Sequence, residues 1–157
     1  HNLKVMADSV LFLREQGIKS VAQLDVLIQE RADKRQELQE KIKLIDDKSA
    51  QLSAVMEHAH TIKQFKEIYK YHKENPNDKQ FENEYSREIS LYKVAATELL
   101  KTYKKLPDTK EILTELDSLH EKKNTLMKEY SETKTNIDDL FIIRKNFEQY
   151  MGKEMER

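Results

Sequence analysis

The sequence predicts an all-α protein built around a long antiparallel coiled coil of two helices. Only 2 glycines and 2 prolines occur in 157 residues, so the chain has few places to turn. Charged residues make up 36% of the chain, which is typical of long helices with solvated faces. Apolar residues, 38% of the total, recur at steps of three and four, and this regular spacing favours helix over disorder.

A short first helix is predicted over residues 2–16, where Val10 and Leu13 lie on one face. Gly17 is the expected end of this helix, because glycine enters the left-handed backbone region without a Cβ penalty. Ser20 is the expected N-cap of the helix that follows.

The second helix is predicted over residues 21–73. From Val21 to Ala59 the seam positions alternate by three and four residues, which is a heptad register, and the pattern shifts by one position before Ile62. Pro76 ends the helix, because proline removes a backbone donor and disfavours helix at the residue before it. At about 1.5 Å per residue, this helix would be a rod of roughly 80 Å.

A third helix is predicted over residues 78–103 and a fourth over residues 108–151. Asp108 followed by Glu111 has the spacing of a capping box, which would satisfy free N–H groups at the start of the fourth helix. The fourth helix keeps the same four–three spacing as the second, so the two long helices are expected to pack against each other.

The first helix is expected to pack at the base of this coiled coil and the third at its tip. The apolar face of the fourth helix widens at Phe141, Ile142 and Ile143. This widening predicts that the first helix packs there, in addition to the second. The pattern leaves the direction of the third helix open, so the alternative is an elongated three-helix bundle. Residues 1–157 are expected to form a single elongated helical domain, a fragment of a larger protein because it begins with His1 rather than Met.

The sequence predicts no catalytic residue, no metal and no cofactor. His58 and His60 are two residues apart, so on a helix they point about 200° away from each other and cannot share a metal ion. No H-E-x-x-H motif and no glycine-rich nucleotide loop occurs, and cysteine is absent. No apolar run approaches the length of a membrane span, so membrane insertion is not expected. The formal net charge of −1 gives no overall attraction to nucleic acid.

The stretch KQFKEIYKYHK, residues 63–73, is the one candidate for nucleic-acid contact. Lysines that meet phosphates beside aromatic rings that stack on bases are typical of single-strand binders. The candidate contact residues are Lys63, Lys66, Lys70, Tyr71 and Lys73. The structural alternative is that the neighbouring Phe65 and Tyr69 belong to the core. They would then pack against the aromatic residues of the third helix, namely Phe81, Tyr85 and Tyr92.

Three segments carry a resemblance to a known family. They are HNLKVMADSVLFLREQGIKS, REISLYKVAATELLKTYKKLP and LDSLHEKKNTLMKEYSETKTNIDDLFIIRKNFEQYM. With VAQLDVLIQE they resemble, in order and over nearly the whole chain, the helical C-terminal region of relaxases. These are the mobilisation nucleases of conjugative transposons and plasmids in Gram-positive bacteria.

Relaxases nick DNA with a tyrosine and a histidine-bound metal in an N-terminal nuclease domain, and no residue here matches those positions. The resemblance therefore implies an accessory helical domain in the bacterial cytoplasm, with no enzymatic activity of its own. It implies contacts with transfer-origin DNA, with relaxosome proteins or with the coupling ATPase.

Two other functions are compatible with the pattern. One is a generic coiled-coil module for interaction or dimerisation, in which polar seam residues specify a homodimer. The other is an RNA-binding helical arm like those of some tRNA synthetases, which the net charge of −1 disfavours.

Overall fold

The structure, a computed structural model, describes residues 2–150, with side chains from residue 7 onward. The helices are α1 (Asn2–Glu15), α2 (Val21–Glu74), α3 (Lys79–Glu84), α4 (Ser86–Leu100) and α5 (Thr109–Lys145). Residues 147–150 are helical again, and no strand occurs among residues 2–150. The predicted all-α fold class is confirmed. None of the described helices contains an apolar stretch long enough to cross a bilayer.

The turn between α1 and α2 forms as the sequence predicts. Gly17 adopts a φ of 67°, and the N–H of Ile18 donates to the carbonyl of Leu13 at 2.9 Å, which closes the end of α1. Ile18 then folds back into the core. At the start of α2, Ser20 Oγ accepts from the N–H of Gln23 at 3.2 Å, so the predicted N-cap is confirmed.

Replacing Gly17 by alanine is expected to lower the free energy of unfolding by about 1 kcal/mol. A Cβ at this position would meet no heavy atom within 4 Å, so the cost is the left-handed backbone and not a clash. Urea unfolding measures the change. Gly17→Asn is the control and should cost less, because asparagine tolerates this backbone region better than alanine. Equal losses for the two variants would contradict the explanation.

Contacts divide the chain into two compact units. The first unit comprises residues 1–43 and 123–157, and the second comprises residues 44–122. Because α2 and α5 each contribute residues to both units, both long helices are continuous through the division.

The first unit has a hydrophobic cluster at which α1, α2 and α5 meet. Leu13, Leu24 and Leu140, one from each helix, are almost completely buried. The other buried members are Val10, Ile18, Leu27, Ile28, Ile143, Phe147 and Tyr150. The predicted meeting of the first, second and fourth helices is therefore confirmed.

The widened apolar face of α5 was over-predicted. Ile143 is buried, but Phe141 and Ile142 are each 54% exposed. Successive residues of a helix are rotated by about 100°, so Leu140 and Ile143 share one face while the two residues between them point elsewhere.

Polar pairs show that α2 and α5 run antiparallel within the first unit. Arg144 Nε donates to Asp25 Oδ1 at 2.6 Å, and Lys34 Nζ lies 3.4 Å from Glu129 Oε1. The partner on α5 moves toward the N-terminus as the residue on α2 moves toward the C-terminus. The hydrogen bond to Arg144 lowers the pKa of Asp25, and both side chains stay about half exposed.

In the second unit, α4 runs antiparallel to α2. The rings of Tyr69 and Tyr92 stack with centroids 4.1 Å apart, and His58, about three turns earlier on α2, interacts electrostatically with Glu98, further along α4. The start of α5 also lies beside α2, because Lys48 Nζ is 4.0 Å from Glu115 Oε1. The structure thus gives the direction of α4, the main part of the predicted third helix, which the sequence left open.

The prediction of a single third helix over residues 78–103 is wrong in two respects: the helix is not continuous, and it ends before residue 103. It is divided into α3 and α4 at Tyr85, whose φ of −108° and ψ of 24° are not helical. The N–H of Tyr85 still donates to Phe81 and its carbonyl still accepts from Ile89, so the chain bends without losing these bonds. Helix α4 ends at Leu100, where the carbonyl of Leu99 accepts from the N–H of Tyr103 at 2.8 Å.

The predicted fourth helix, residues 108–151, is interrupted at Asn146. The Asn146 side chain donates to the carbonyl of Ile142 at 3.0 Å and so competes with the helical backbone bond. Residue 151 lies outside the described residues. At the other end, Asp108 caps α5 by accepting from the N–H of Lys110 at 2.9 Å. The capping box itself does not form among the described residues, because Asp108 accepts from Lys110 and not from Glu111 and no return bond from the Glu111 side chain occurs; only the predicted N-cap is confirmed.

Candidate nucleic-acid interface

Four lysines form a row on one face of α2 in the second unit. Lys63, Lys66, Lys70 and Lys73 follow each other at steps of three, four and three residues, so their side chains leave the helix on the same side. All four are exposed, and they cover about 15 Å of helix. We call these four residues the lysine row. The structure brings together all the lysines that the sequence singled out.

The lysine row has no acidic partner within salt-bridge distance among the described residues. Glu67 and Glu74 lie four residues after Lys63 and Lys70, but the structure pairs neither with a lysine of the row. A Lys-to-Glu pair in this order is the weaker orientation on a helix. The ammonium groups are therefore available to an external anion.

Tyr71, the aromatic residue predicted to contact nucleic acid, is 40% exposed but makes contacts within the protein. Its ring lies 4.2 Å from the ring of Phe81, and its hydroxyl donates to Asp78 Oδ2 at 2.7 Å. Asp78 Oδ1 in turn accepts from the N–H of Phe81 at 3.0 Å and so caps α3. Tyr71 thus ties α2 to the start of α3 across the turn that contains Pro76.

The pKa values of this pair move in the directions that the hydrogen bond requires. The bond from Tyr71, helped by the N–H of Phe81, lowers the pKa of Asp78, and the same bond raises the pKa of the Tyr71 hydroxyl. The carboxylate therefore stays ionised, which keeps it an acceptor for both donors. Sequence reasoning missed this role of Tyr71. The signal in the sequence is the presence of Asp78, a hydrogen-bond acceptor seven residues after Tyr71 and beyond the turn that contains Pro76.

Tyr69 is also engaged, as the core-packing alternative predicted. Its ring stacks on Tyr92 at an interplanar angle of 15°, and Lys73 Nζ lies 5.8 Å from the centroid of the same ring. Phe65 is half-buried. The aromatic residues next to the lysine row therefore stabilise the helices around them, and the row itself is left to make charge contacts.

A cavity of about 660 Å³ in the second unit is a feature that sequence reasoning did not single out. It lies where the segment 103–108 passes between α2 and the start of α5, and Leu52 and Ile112 form its apolar part. Lys104 and Lys105 line it together with acidic side chains from α5. Because both signs of charge are present, the cavity favours no simple class of ionic ligand.

The described residues contain no group of His, Cys, Asp or Glu side chains arranged to hold a metal ion. His1 lies outside these residues. His60 and His120 are exposed and His58 is half-buried.

Comparisons with known proteins returned no relative. No family model, no curated protein and no solved structure matches the chain. Inferences about function therefore rest on the residues and the geometry described above.

Proposed function

We propose that this chain is a non-catalytic helical domain of a conjugative-transfer relaxase, acting in the bacterial cytoplasm through protein contacts and through contacts with transfer-origin DNA. The resemblance of three long segments to the helical region of relaxases supports the assignment to this class. The observation that carries the DNA contact is the lysine row, four exposed ammonium groups on one helix face without acidic partners among the described residues.

The proposed DNA contact is made to phosphates and not to bases. Tyr69 is stacked on Tyr92, and Tyr71, although 40% exposed, packs against Phe81 and donates to Asp78, so both rings already have partners within the protein. Lysines that neutralise phosphates give affinity without reading sequence, and this affinity falls as salt rises. The domain would hold DNA near the nuclease while another part of the assembly chooses the sequence.

The test is fluorescence anisotropy with labelled duplex and single-stranded DNA over a salt series. If all four lysines of the row contact phosphates, the logarithm of the binding constant should fall against the logarithm of salt concentration with a slope between about −3 and −4 on duplex DNA. The variant Lys66→Glu/Lys70→Glu/Lys73→Glu should lose most of the binding, because three of the four contacts become repulsive.

The matched control is Lys43→Glu/Lys128→Glu/Lys134→Glu, which changes the net charge by the same amount at exposed lysines of the first unit. It should bind nearly as the unsubstituted protein does. Equal losses in the two triple variants would assign the binding to overall charge and contradict the row. Absence of binding at low salt would contradict the DNA contact, and tighter binding to duplex RNA than to DNA would favour an RNA-binding arm.

A further inference from the structure

A groove of about 360 Å³ lies between α1 and α5 in the first unit. Its apolar part is formed by Phe12, Leu140, Ile142 and Ile143. Ile143 is buried and belongs to the hydrophobic cluster, whereas Ile142 is 54% exposed and presents its side chain to an occupant. A groove between two helices with an apolar base is the shape into which a third helix packs.

The charges of the groove have one sign. Asp8 on α1 and Asp139 on α5 line it, and none of its described lining residues is basic. Neither carboxylate has an ion-pair partner among the described residues. Glu132 lies one turn before Asn136 on α5 and extends the acidic edge along the same helix face.

We propose that this groove binds a basic amphipathic helix of a partner protein. The apolar stripe of that helix would lie on Phe12 and Ile142, and its lysines or arginines would face Asp8 and Asp139. A second copy of this chain fits less well, since a two-fold contact on this patch would bring its own carboxylates together.

The test uses a labelled synthetic helical peptide of about four turns with leucines at steps of three and four and lysine or arginine elsewhere. The control peptide keeps the leucines and replaces the basic residues with glutamate. Anisotropy with the full chain should show saturable binding of the basic peptide only. Asp8→Lys/Asp139→Lys should weaken this binding at least about tenfold. The control Asp47→Lys/Asp117→Lys, the same charge change at exposed positions of the second unit, should leave it unchanged.

Three results would overturn the proposal: equal binding of both peptides, undiminished binding by Asp8→Lys/Asp139→Lys, or a solution mass twice the 18.7 kDa of one chain that falls back in that variant. The groove lies in the first unit and the lysine row in the second, so this test and the DNA test can fail independently.

Discussion

Replacing Leu24 by alanine should lower the free energy of unfolding by about 2–5 kcal/mol. Leu24 is 0% exposed and lies in the cluster that joins α1, α2 and α5, with Leu13 and Leu140 as equally buried members. The loss combines the transfer free energy of the deleted methyl groups with the cavity that three packed helices cannot close. Urea unfolding followed by the circular dichroism of the helices measures it.

Leu44→Ala is the matched control for this substitution. It is the same chemical change on the same helix, but Leu44 is 68% exposed, so the expected change is within about 0.5 kcal/mol. Similar losses at Leu24 and Leu44 would mean that the cluster at α1, α2 and α5 does not provide the core of the first unit.

The sequence predicted the hydrophobic cluster because helical periodicity is a local property. Val10 and Leu13, and likewise Leu140 and Phe147, stand at steps that bring them to one helix face, and all four are buried. The same rule should have excluded Phe141 and Ile142, because four consecutive residues of a helix cannot share a face. The prediction was wrong at these two residues because it treated a run of adjacent apolar residues as one face and did not apply the helical spacing to each of them.

The two helix interruptions carry weaker signals. At Tyr85 the apolar spacing continues from Phe81 to Ile89, and neither glycine nor proline is present, so the sequence gives no local signal of the interruption. Asn146 did offer a signal, since an asparagine inside a helix can bond to the carbonyl four residues before it.

The candidate interface, like the fold, was predictable only where it depends on spacing along one helix. The lysine row depends only on spacing along one helix, so the sequence gives its residues directly. The engagement of Tyr71 depends on the turn at Pro76, which returns the chain so that Asp78 meets the Tyr71 hydroxyl. Helical periodicity cannot predict such a contact, because it depends on the geometry of the turn and not on which residues share a helix face.

Replacing Ala50 by proline should lower the free energy of unfolding by about 3 kcal/mol or more. Ala50 is exposed in the interior of α2, the 54-residue helix from Val21 to Glu74, so the substitution deletes no buried side chain. Proline removes the N–H that bonds to the carbonyl of Asp46, and its ring clashes with that carbonyl. The expected loss therefore measures how much the unbroken backbone of α2 contributes to stability.

Two companion variants distinguish this effect from other costs of substitution. Ala50→Gly keeps the N–H and should cost only about 1 kcal/mol, the conformational penalty of glycine in a helix. Val21→Pro places proline at the first position of the same helix, after the Ser20 N-cap, where the N–H has no helical partner, and should cost little. If Ala50→Pro is no more damaging than Ala50→Gly, α2 already contains a break near residue 50, and the second helix read from the heptad pattern is two helices. If Val21→Pro is as damaging as Ala50→Pro, α2 begins earlier than Ser20 and the cap described here is not its start.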